Sequence, residues 1–375
     1  LAHVRKEGKS WYYAIDMGKD SSGKRQIKKK RGFKTEKEAK NALAALMTDI
    51  NKGNYVEPSK LSYSVYIDDW LKDKKISVKK STHESYKALI EKHIIPALGD
   101  TKLSDITSRQ IQSFIRDLFL TEELSDESIQ KIYMIVKNSL NSAVKFELLA
   151  KNVCEKVERP KVQKKEMKVW DVEEIQHFLK VAEGDHSYML FHLAVTTGMR
   201  MSEILGLRWK NVDLDNGVIY VKEQLERYSH NFTNVKTKAS NRNISISETT
   251  VQALRKQRKM ILQEKLMSSS EEYKDLNLVC PTSVGTPYLP SNLSKIFKRL
   301  TKTSGNKPIR FHDLRHSFAT MLLSQSVNPK IVSEILGHSS SKITLDVYTH
   351  ILPNMQKDTA KQLGNMLFGA KTKTN

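Results

Sequence analysis

The sequence predicts a multidomain, mainly α protein with small β elements: a small sheet plus one helix over residues 1–58, an all-α block over 59–155, a linker over 156–168, and a mixed, mainly α block over 169–375. Three observations carry this prediction. Apolar residues recur at helical spacing through 61–149 and again beyond Val169. Short aromatic and β-branched runs bounded by turn formers occur near the start and after Trp209. Pro-containing polar stretches, Asn54 to Ser59 and Lys156 to Lys168, separate the blocks. A chain of 375 residues is long enough for two or three domains, each with its own core.

In the first block, SWYYAIDMG and RQIKKKRGF flank the turn-forming Lys19-Asp20-Ser21-Ser22-Gly23, which predicts a hairpin. Thr35 and Glu38, followed by Ala39, Leu43, Met47 and Ile50, predict a capped amphipathic helix that stops near Gly53. The block holds 14 lysines and arginines against 7 acids, a net +7. Such a sheet, with basic and aromatic side chains on its open face and Lys28, Lys30 and Arg31 in one run, suits DNA. A solvated edge strand guarded by lysines is the plainer alternative.

The second block reads as helix from Leu61 to Leu149, with boundaries near Pro96 to Gly99 and Ser104 to Thr107. In its last helix Ile129, Ile132, Val136, Leu140 and Ala143 form one apolar stripe, while Lys131, Asn138, Asn141 and Lys145 fall on the other side. A polar face of Asn and Lys suits base edges and phosphates as well as water.

In the third block, Thr197-Gly198-Met199-Arg200-Met201-Ser202-Glu203 sets Arg200 just past a glycine turn at a helix start, with Glu203 three positions on to hold its guanidinium. After Trp209, strands are expected at Gly217 to Val221, Asn234 to Lys238 and Asn243 to Ile246, which places Lys236 on a hairpin. Leu314, Phe318, Met321 and Leu322 predict an amphipathic helix with His312 and Arg315 on one face, able to reach a single small anion. Ile331, Ile335 and Leu336 predict a helix stopped by Gly337, which sets His338 at a turn. Tyr348 follows with Ile343, Leu345 and Val347, and beyond Pro353 a tail helix is expected from Met355, Thr359, Leu363 and Met366 or Leu367.

Lysine and arginine number 63 against 42 acids, a formal charge of +21, which favours a polyanionic partner: nucleic acid or an anionic membrane surface. No apolar run approaches a spanning helix and no secretory segment opens the chain, so a cytoplasmic, nucleoid-associated protein without a membrane partner is expected. Cys154 and Cys280 stand apart, without a metal-ligand pattern, so neither a disulfide framework nor a zinc site is expected.

Taken together, TGMRMSE, HDLRHSFAT, SEILGHSS and Tyr348 resemble, in order and spacing, the tyrosine recombinase family. The first block resembles the arm-binding domain of integrases from phages and conjugative transposons. The second resembles the family's helical core-binding domain, which implies DNA contacts from Ser81, Thr82 and Tyr86. The resemblance implies a site-specific recombinase that cleaves and rejoins DNA through a 3′-phosphotyrosine to integrate and excise a mobile element. It implies that Arg200, Lys236, His312, Arg315, His338 and Tyr348 are catalytic, supported by Glu203, with Lys236 the first lysine of the family's KTK element and Lys238 the weaker candidate. No metal and no cofactor are implied. The expected partners are double-stranded DNA at core sites and arm sites, further copies of the chain as a dimer to tetramer on DNA, and accessory DNA-bending or excision factors. The family commonly passes its C-terminal segment to a neighbouring copy.

Three rival functions would leave part of this pattern unexplained. A metal nuclease would want clustered carboxylates, and the motif regions offer Glu203, Asp313 and Asp346 singly. A non-catalytic DNA-binding regulator leaves the six residues unexplained. A type IB topoisomerase-like relaxing enzyme would share the chemistry without needing the N-terminal block.

Overall fold

The computed structural model describes residues 2–19, 23, 25–51, 59–162, 167–226, 231–235, 238–268, 273–348, 360–361 and 363–367. The chain divides into two compact units, Leu1–Lys164 and Lys165–Asn375.

The first unit opens with three antiparallel strands, β1 (Ala2–Glu7), β2 (Ser10–Lys19) and β3 (Arg25–Phe33), in that order in one sheet, followed by α1 (Glu36–Asn51). The expected hairpin is β2 and β3; most of its turn lies outside the described residues. Strand β1 is an addition to the sequence reading. AHVRKE exposes every residue but Val4, so no apolar alternation announces it, yet it pairs with β2 from Ala2 opposite Ile15 to Glu7 opposite Ser10.

Register sorts the basic residues of this sheet. Lys28 and Lys30 pair with Ile15 and Tyr13, both buried, and so share the apolar face. Lys29 lies over the ring of Tyr12 at 3.7 Å, and Arg31 pairs with Glu7 at 2.7 Å. The expected single basic face is therefore divided between the two sides of the sheet, because a period of two alternates consecutive lysines.

Thr35 caps α1 as expected: its hydroxyl accepts the Glu38 N–H, while the Glu38 carboxylate accepts those of Lys34 and Thr35. Ala39 is buried, but Met47 is exposed, and the half-buried Leu46 takes its place. Gly53 lies outside the described residues.

The rest of this unit is helical: α2 (Tyr63–Ser77), α3 (Lys80–Leu89), a π-helical turn Ile90–Ile94, α4 (Ile95–Leu98), α5 (Ser108–Leu120) and α6 (Asp126–Lys145). The breaks fall where the sequence puts them, at Gly99 and at Thr107, which caps α5 with Gln110. The π turn sits just before Pro96, whose ring and missing N–H disturb the regular ladder. The α6 stripe Ile129, Ile132, Val136, Leu140 and Ala143 is wholly buried against Tyr63, Ile67, Ile90, Ile94 and Ile111. Hydroxyls fix the register: Tyr63 Oη and Ser139 Oγ share a hydrogen bond of 2.7 Å, Tyr66 Oη donates to the Ser139 carbonyl at 2.7 Å, and Trp70 Nε1 donates to Ser142 Oγ at 3.0 Å.

The expected linker begins later than Lys156. Val157 is buried, the Glu158 N–H donates to Gln112 Oε1, and the Pro160 carbonyl accepts from Gln130 Nε2, so these residues pack on the helices.

The second unit comprises α7 (Val172–Ala182), α8 (Tyr188–Thr197), α9 (Met201–Leu205), β4 (Val212–Asp213), β5 (Val218–Val221), β6 (Glu223–Leu225), β7 (Phe232–Asn234), β8 (Arg242–Ser245), α10 (Glu248–Met267), α11 (Pro290–Ser304), α12 (Phe311–Ser324), α13 (Pro329–Leu336) and α14 (Ser341–Tyr348). The strands form one sheet of order β4-β5-β8 and a separate β6-β7 pair, all antiparallel. Its core centres on Trp170, Phe178, Phe191 and Phe297, with ring centroids 5.0 to 5.7 Å apart.

Two expectations are corrected here. The strand expected at Asn234 to Lys238 ends at Asn234, and Lys238 instead opens a 3₁₀ turn, Lys238–Ser240, because the polar run after Val235 has no apolar alternation to hold it in a sheet. In α13 the buried residues are Val332, Ser333 and Leu336, while Ile331 is half exposed, so the stripe is shifted by one position. Of the expected tail helix, residues 360–361 and 363–367 are helical, with Leu363, Met366 and Leu367 exposed; Met355 and Thr359 lie outside the described residues. Among the described residues no helix is long and apolar enough to cross a membrane.

Candidate active site

The site is built where three chain segments meet at the C-terminal end of α13. The first is the turn from α8 into α9. Gly198 ends α8 in the left-handed conformation (φ 62°), and an added Cβ would lie 2.5 Å from the Phe318 ring, so only glycine makes this turn. Arg200 then caps α9: its N–H donates to Glu203 Oε2 at 2.9 Å and its Nη1 to Glu203 Oε1 at 2.7 Å. The expected hold of Glu203 on Arg200 is thus present, and the Arg200 side chain keeps about a third of its surface open.

The second segment is α12. Asp313 accepts from the Arg310 N–H and from its Nε and Nη2, which fixes the first turn and the directions of His312 and Arg315. The two residues share a face as expected, but not an environment. His312 is exposed, whereas Arg315 is buried and donates through Nη1 to the Gly198 carbonyl and through Nη2 to the Leu336 carbonyl, each at 2.7 Å.

The third segment runs from α13 to α14. Asn328 and Pro329 start α13, and Gly337 stops it in the left-handed conformation (φ 66°), with the His338 N–H returning to the Ser333 carbonyl at 3.0 Å. One ring nitrogen of His338, Nδ1, is 2.8 Å from the hydroxyl of Thr344, a fully buried residue of α14. That contact ties the imidazole to the helix whose last residue is Tyr348. The Tyr348 side chain lies outside the described residues, as do Lys236 and the side chain of Lys238.

Three guanidiniums sit on three successive carbonyls at this helix end. Arg242 Nε donates to Ile335, Arg315 Nη2 to Leu336 and Arg200 Nη2 to Gly337, at 2.5, 2.7 and 3.1 Å. The negative end of the α13 dipole offsets part of their mutual repulsion.

The same charges govern the imidazoles. Burial, then Arg315 and Arg200, push the His338 pKa down to about 4. Partial burial of the His312 ring, then Arg315, lower its pKa also, with Asp313 pulling the other way, so both rings are neutral at pH 7. A neutral His312 can accept a proton. Burial alone would raise the Glu203 carboxyl, but the hydrogen bond and charge of Arg242, then Arg200, hold it below its usual value.

Arg242 is the residue the sequence reading missed. It is buried on β8, in phase with Ile244, and an arginine at an apolar position of a strand was the available signal.

Among the residues expected to contact DNA, Lys131 and Tyr86 come together: Lys131 Nζ donates to Ser85 Oγ at 2.5 Å and lies 5.8 Å from the Tyr86 ring, which stacks on Trp70. Ser81 and Thr82 are half-buried in the first turn of α3. Asn138, Asn141 and Lys145 continue the Lys131 side of α6, although Asn141 Oδ1 is engaged by Asn152 Nδ2 at 2.6 Å.

Comparison with known proteins gives three matches along the chain: an arm DNA-binding domain at residues 3–50, the N-terminal SAM-like domain of phage integrases at 62–119, and the phage integrase family at 166–355. The chain is 30% identical to a XerC-like tyrosine recombinase of Caldanaerobacter subterraneus subsp. tengcongensis, covering 97% of this chain and 98% of that protein. It is also 30% identical to the ICEBs1 integrase of Bacillus subtilis, covering 95% and 97%. In fold it resembles the Tn1549 transposon integrase solved with transposon right end DNA (TM-score 0.68, 21% identity, 80% of this chain and 100% of that one). It likewise resembles a lambda integrase dimer bound to a core site (TM-score 0.61, 18% identity, 92% and 94%).

Proposed function

The chain belongs to the phage integrase family of tyrosine recombinases, and from that premise we propose that it is a site-specific recombinase that integrates and excises a mobile element through a 3′-phosphotyrosine intermediate. The observation that carries the reading is the gathering of Arg200, Arg315 and His338 at one end of α13, with His338 joined through Thr344 to the helix that ends in Tyr348.

A DNA phosphodiester is anionic and has a poor leaving group, so its transfer needs charge neutralisation, an in-line nucleophile and a proton for the departing oxygen. Arg200 and Arg315 supply guanidinium donors to the non-bridging oxygens, and His338 adds a hydrogen bond. Tyr348 attacks phosphorus. A phenol of pKa about 10 is ionised to roughly one part in a thousand at pH 7, which leaves about 4 kcal/mol to be found. His312 takes the phenolic proton, and the arginine field stabilises the charge that forms. The bond from phosphorus to the 5′-oxygen breaks, and Lys236 protonates that oxygen. The phosphotyrosine keeps the energy of the broken bond, so a different 5′-hydroxyl can attack it and rejoin the strand without ATP.

The three matched segments support a division of labour: residues 1–58 on arm sites, 59–155 on core sites, a linker ending at Lys168, and 169–375 in catalysis. Lys28, Lys30, Arg31, Ser81, Thr82, Tyr86, Lys131, Asn138, Asn141 and Lys145 are the proposed DNA contacts. Relatives solved on DNA, one as a dimer, support assembly of two to four copies on core sites. In such an assembly the exposed apolar residues of the tail dock on a neighbouring copy, and accessory DNA-bending factors choose between integration and excision.

The test is to incubate the protein, in excess EDTA, with duplexes covering the ends of the element that carries its gene. A covalent adduct on a denaturing gel is expected. Cleavage lost in EDTA and restored by magnesium would favour a metal nuclease, and binding without any adduct a regulator. Relaxation of supercoiled plasmid with no joining of two sites would favour a topoisomerase.

A further inference from the structure

Arg242 spends its guanidinium entirely inside the protein. Nε donates to the Ile335 carbonyl at 2.5 Å, Nη1 to the Ser240 carbonyl at 3.1 Å and to Glu203 Oε1 at 3.2 Å, and Nη2 to Glu203 Oε2 at 2.9 Å. Its side chain is 7% exposed and that of Glu203 is 2% exposed, against 32% for Arg200. Each oxygen of Glu203 therefore takes one donor from Arg200 and one from Arg242. A buried ion pair commonly adds little net stability over apolar residues of similar volume, so stability alone is a weak reason for this arrangement.

The backbone is shaped to admit Arg242. A Cβ at Gly337 would lie 3.0 Å from its Cδ, 3.1 Å from its Nη1 and 2.9 Å from the Ala239 carbonyl, in a conformation that already favours glycine. The carbonyl taken by Arg242 is the first of the run whose next two members are taken by Arg315 and Arg200, and His338 follows directly. Arg242 thus touches the partner of one phosphate-binding candidate and the helix end that locates the others.

Resting on the recombinase reading above, we propose that Arg242 is a positioning residue. By locking Glu203 and the end of α13 together, it holds Arg200, Arg315 and His338 in register for a single scissile phosphate, and it makes no contact with DNA itself. Lysine in its place keeps the charge but reaches one partner, so Glu203 and α13 are no longer joined. A misplacement of about 1 Å is enough to cost roughly a hundredfold in rate.

The experiment compares wild type with Arg242→Lys and Arg242→Gln in single-turnover cleavage of an element-end duplex. The scissile linkage is an ordinary phosphodiester or a methylphosphonate, whose neutral phosphorus centre makes less demand on aligned guanidiniums. Melting and DNA affinity are measured alongside. Both variants are expected to fold, to bind DNA within about threefold of wild type, and to cleave the phosphodiester about a hundredfold more slowly. On the methylphosphonate most of that deficit relative to wild type should vanish. Equal deficits on both linkages, a deficit confined to affinity, wild-type rates, or failure of both variants to fold would each overturn the proposal. A wild-type protein that forms no adduct would instead overturn the recombinase reading.

Discussion

Replacing Arg315 by lysine should damage the fold as well as the chemistry, and the size of the structural damage follows from its contacts. Arg315 is 4% exposed and bridges the carbonyls of Gly198 and Leu336, both at 2.7 Å, so it ties the turn that delivers Arg200 to the helix end that delivers His338. An ammonium cannot span the two. One carbonyl loses a hydrogen bond from a charged donor, worth about 1.5–3 kcal/mol, so a loss of about 2 kcal/mol is expected. For a domain of this size each kcal/mol shifts melting by about 2–4 °C, which puts the shift at about 4–8 °C. Arg200→Lys is the control. Its side chain is 32% exposed, and lysine can still reach the Glu203 carboxylate, so its melting shift should be less than half as large. Both variants should lose about a hundredfold or more in cleavage, as sites do when a donor to developing charge is removed. Calorimetry of the full chain, reading the transition of the catalytic unit, separates the two. Equal shifts, or no shift for Arg315→Lys, would show that the bridge is not holding these segments together.

Three further outcomes are expected. Lys236→Ala should be crippled on ordinary DNA but largely rescued when the leaving 5′-oxygen is replaced by sulfur, which departs without a proton; equal impairment on both would assign Lys236 to phosphate binding or give the acid role to Lys238. A chain starting at Ser59 should still cleave a short core site, but its binding to longer DNA with arm sequences should weaken and depend less steeply on salt, since the net +7 of residues 1–58 is gone; an unchanged salt slope would make that block a bystander. Acid should weaken the catalytic unit. Burial, then His312, push His316 down to about 4 from 6.5, and burial, then the arginines, do the same to His338. The unfolded chain therefore takes up these protons first, so this part of the stability is complete above about pH 6.5 and is lost as pH falls toward 4. His316→Gln should flatten the decline in melting temperature between those limits, and an unaltered slope would refute the assignment.

Much of the architecture was legible because helices advertise themselves. The α6 stripe, the Thr35 cap and the stops at Gly198 and Gly337 are local patterns with local causes, and each appears where the residues put it. Arg200, His312, Arg315 and His338 were legible through motif and spacing. What was missed depends on partners distant in sequence. Strand β1 carries one half-buried residue and exists because β2 offers it a register. The segment after Lys156 reads as a linker but is held by Gln112 and Gln130. Arg242 joins Glu203 across 39 positions and Ile335 across 93, and neither contact has a sequence signature beyond the strand phase of the arginine. The shift from Ile331 to Val332 in α13 follows from a helix short enough that either residue completes an apolar stripe.

In the proposed reaction Tyr348 becomes covalently joined to a DNA 3′ end. Wild type and Tyr348→Phe should be incubated with an element-end duplex carrying a nick near the cleavage position, so that the short 5′-hydroxyl fragment diffuses away and the adduct accumulates. The adduct is then digested and the nucleotide-bearing peptide sequenced by mass spectrometry. A 3′-phosphate linked to Tyr348 is expected in wild type, and no adduct but nearly unchanged DNA affinity in Tyr348→Phe. A 3′-linked peptide from any other tyrosine, a 5′ linkage, or an adduct that persists in the Phe variant would contradict the proposed reaction.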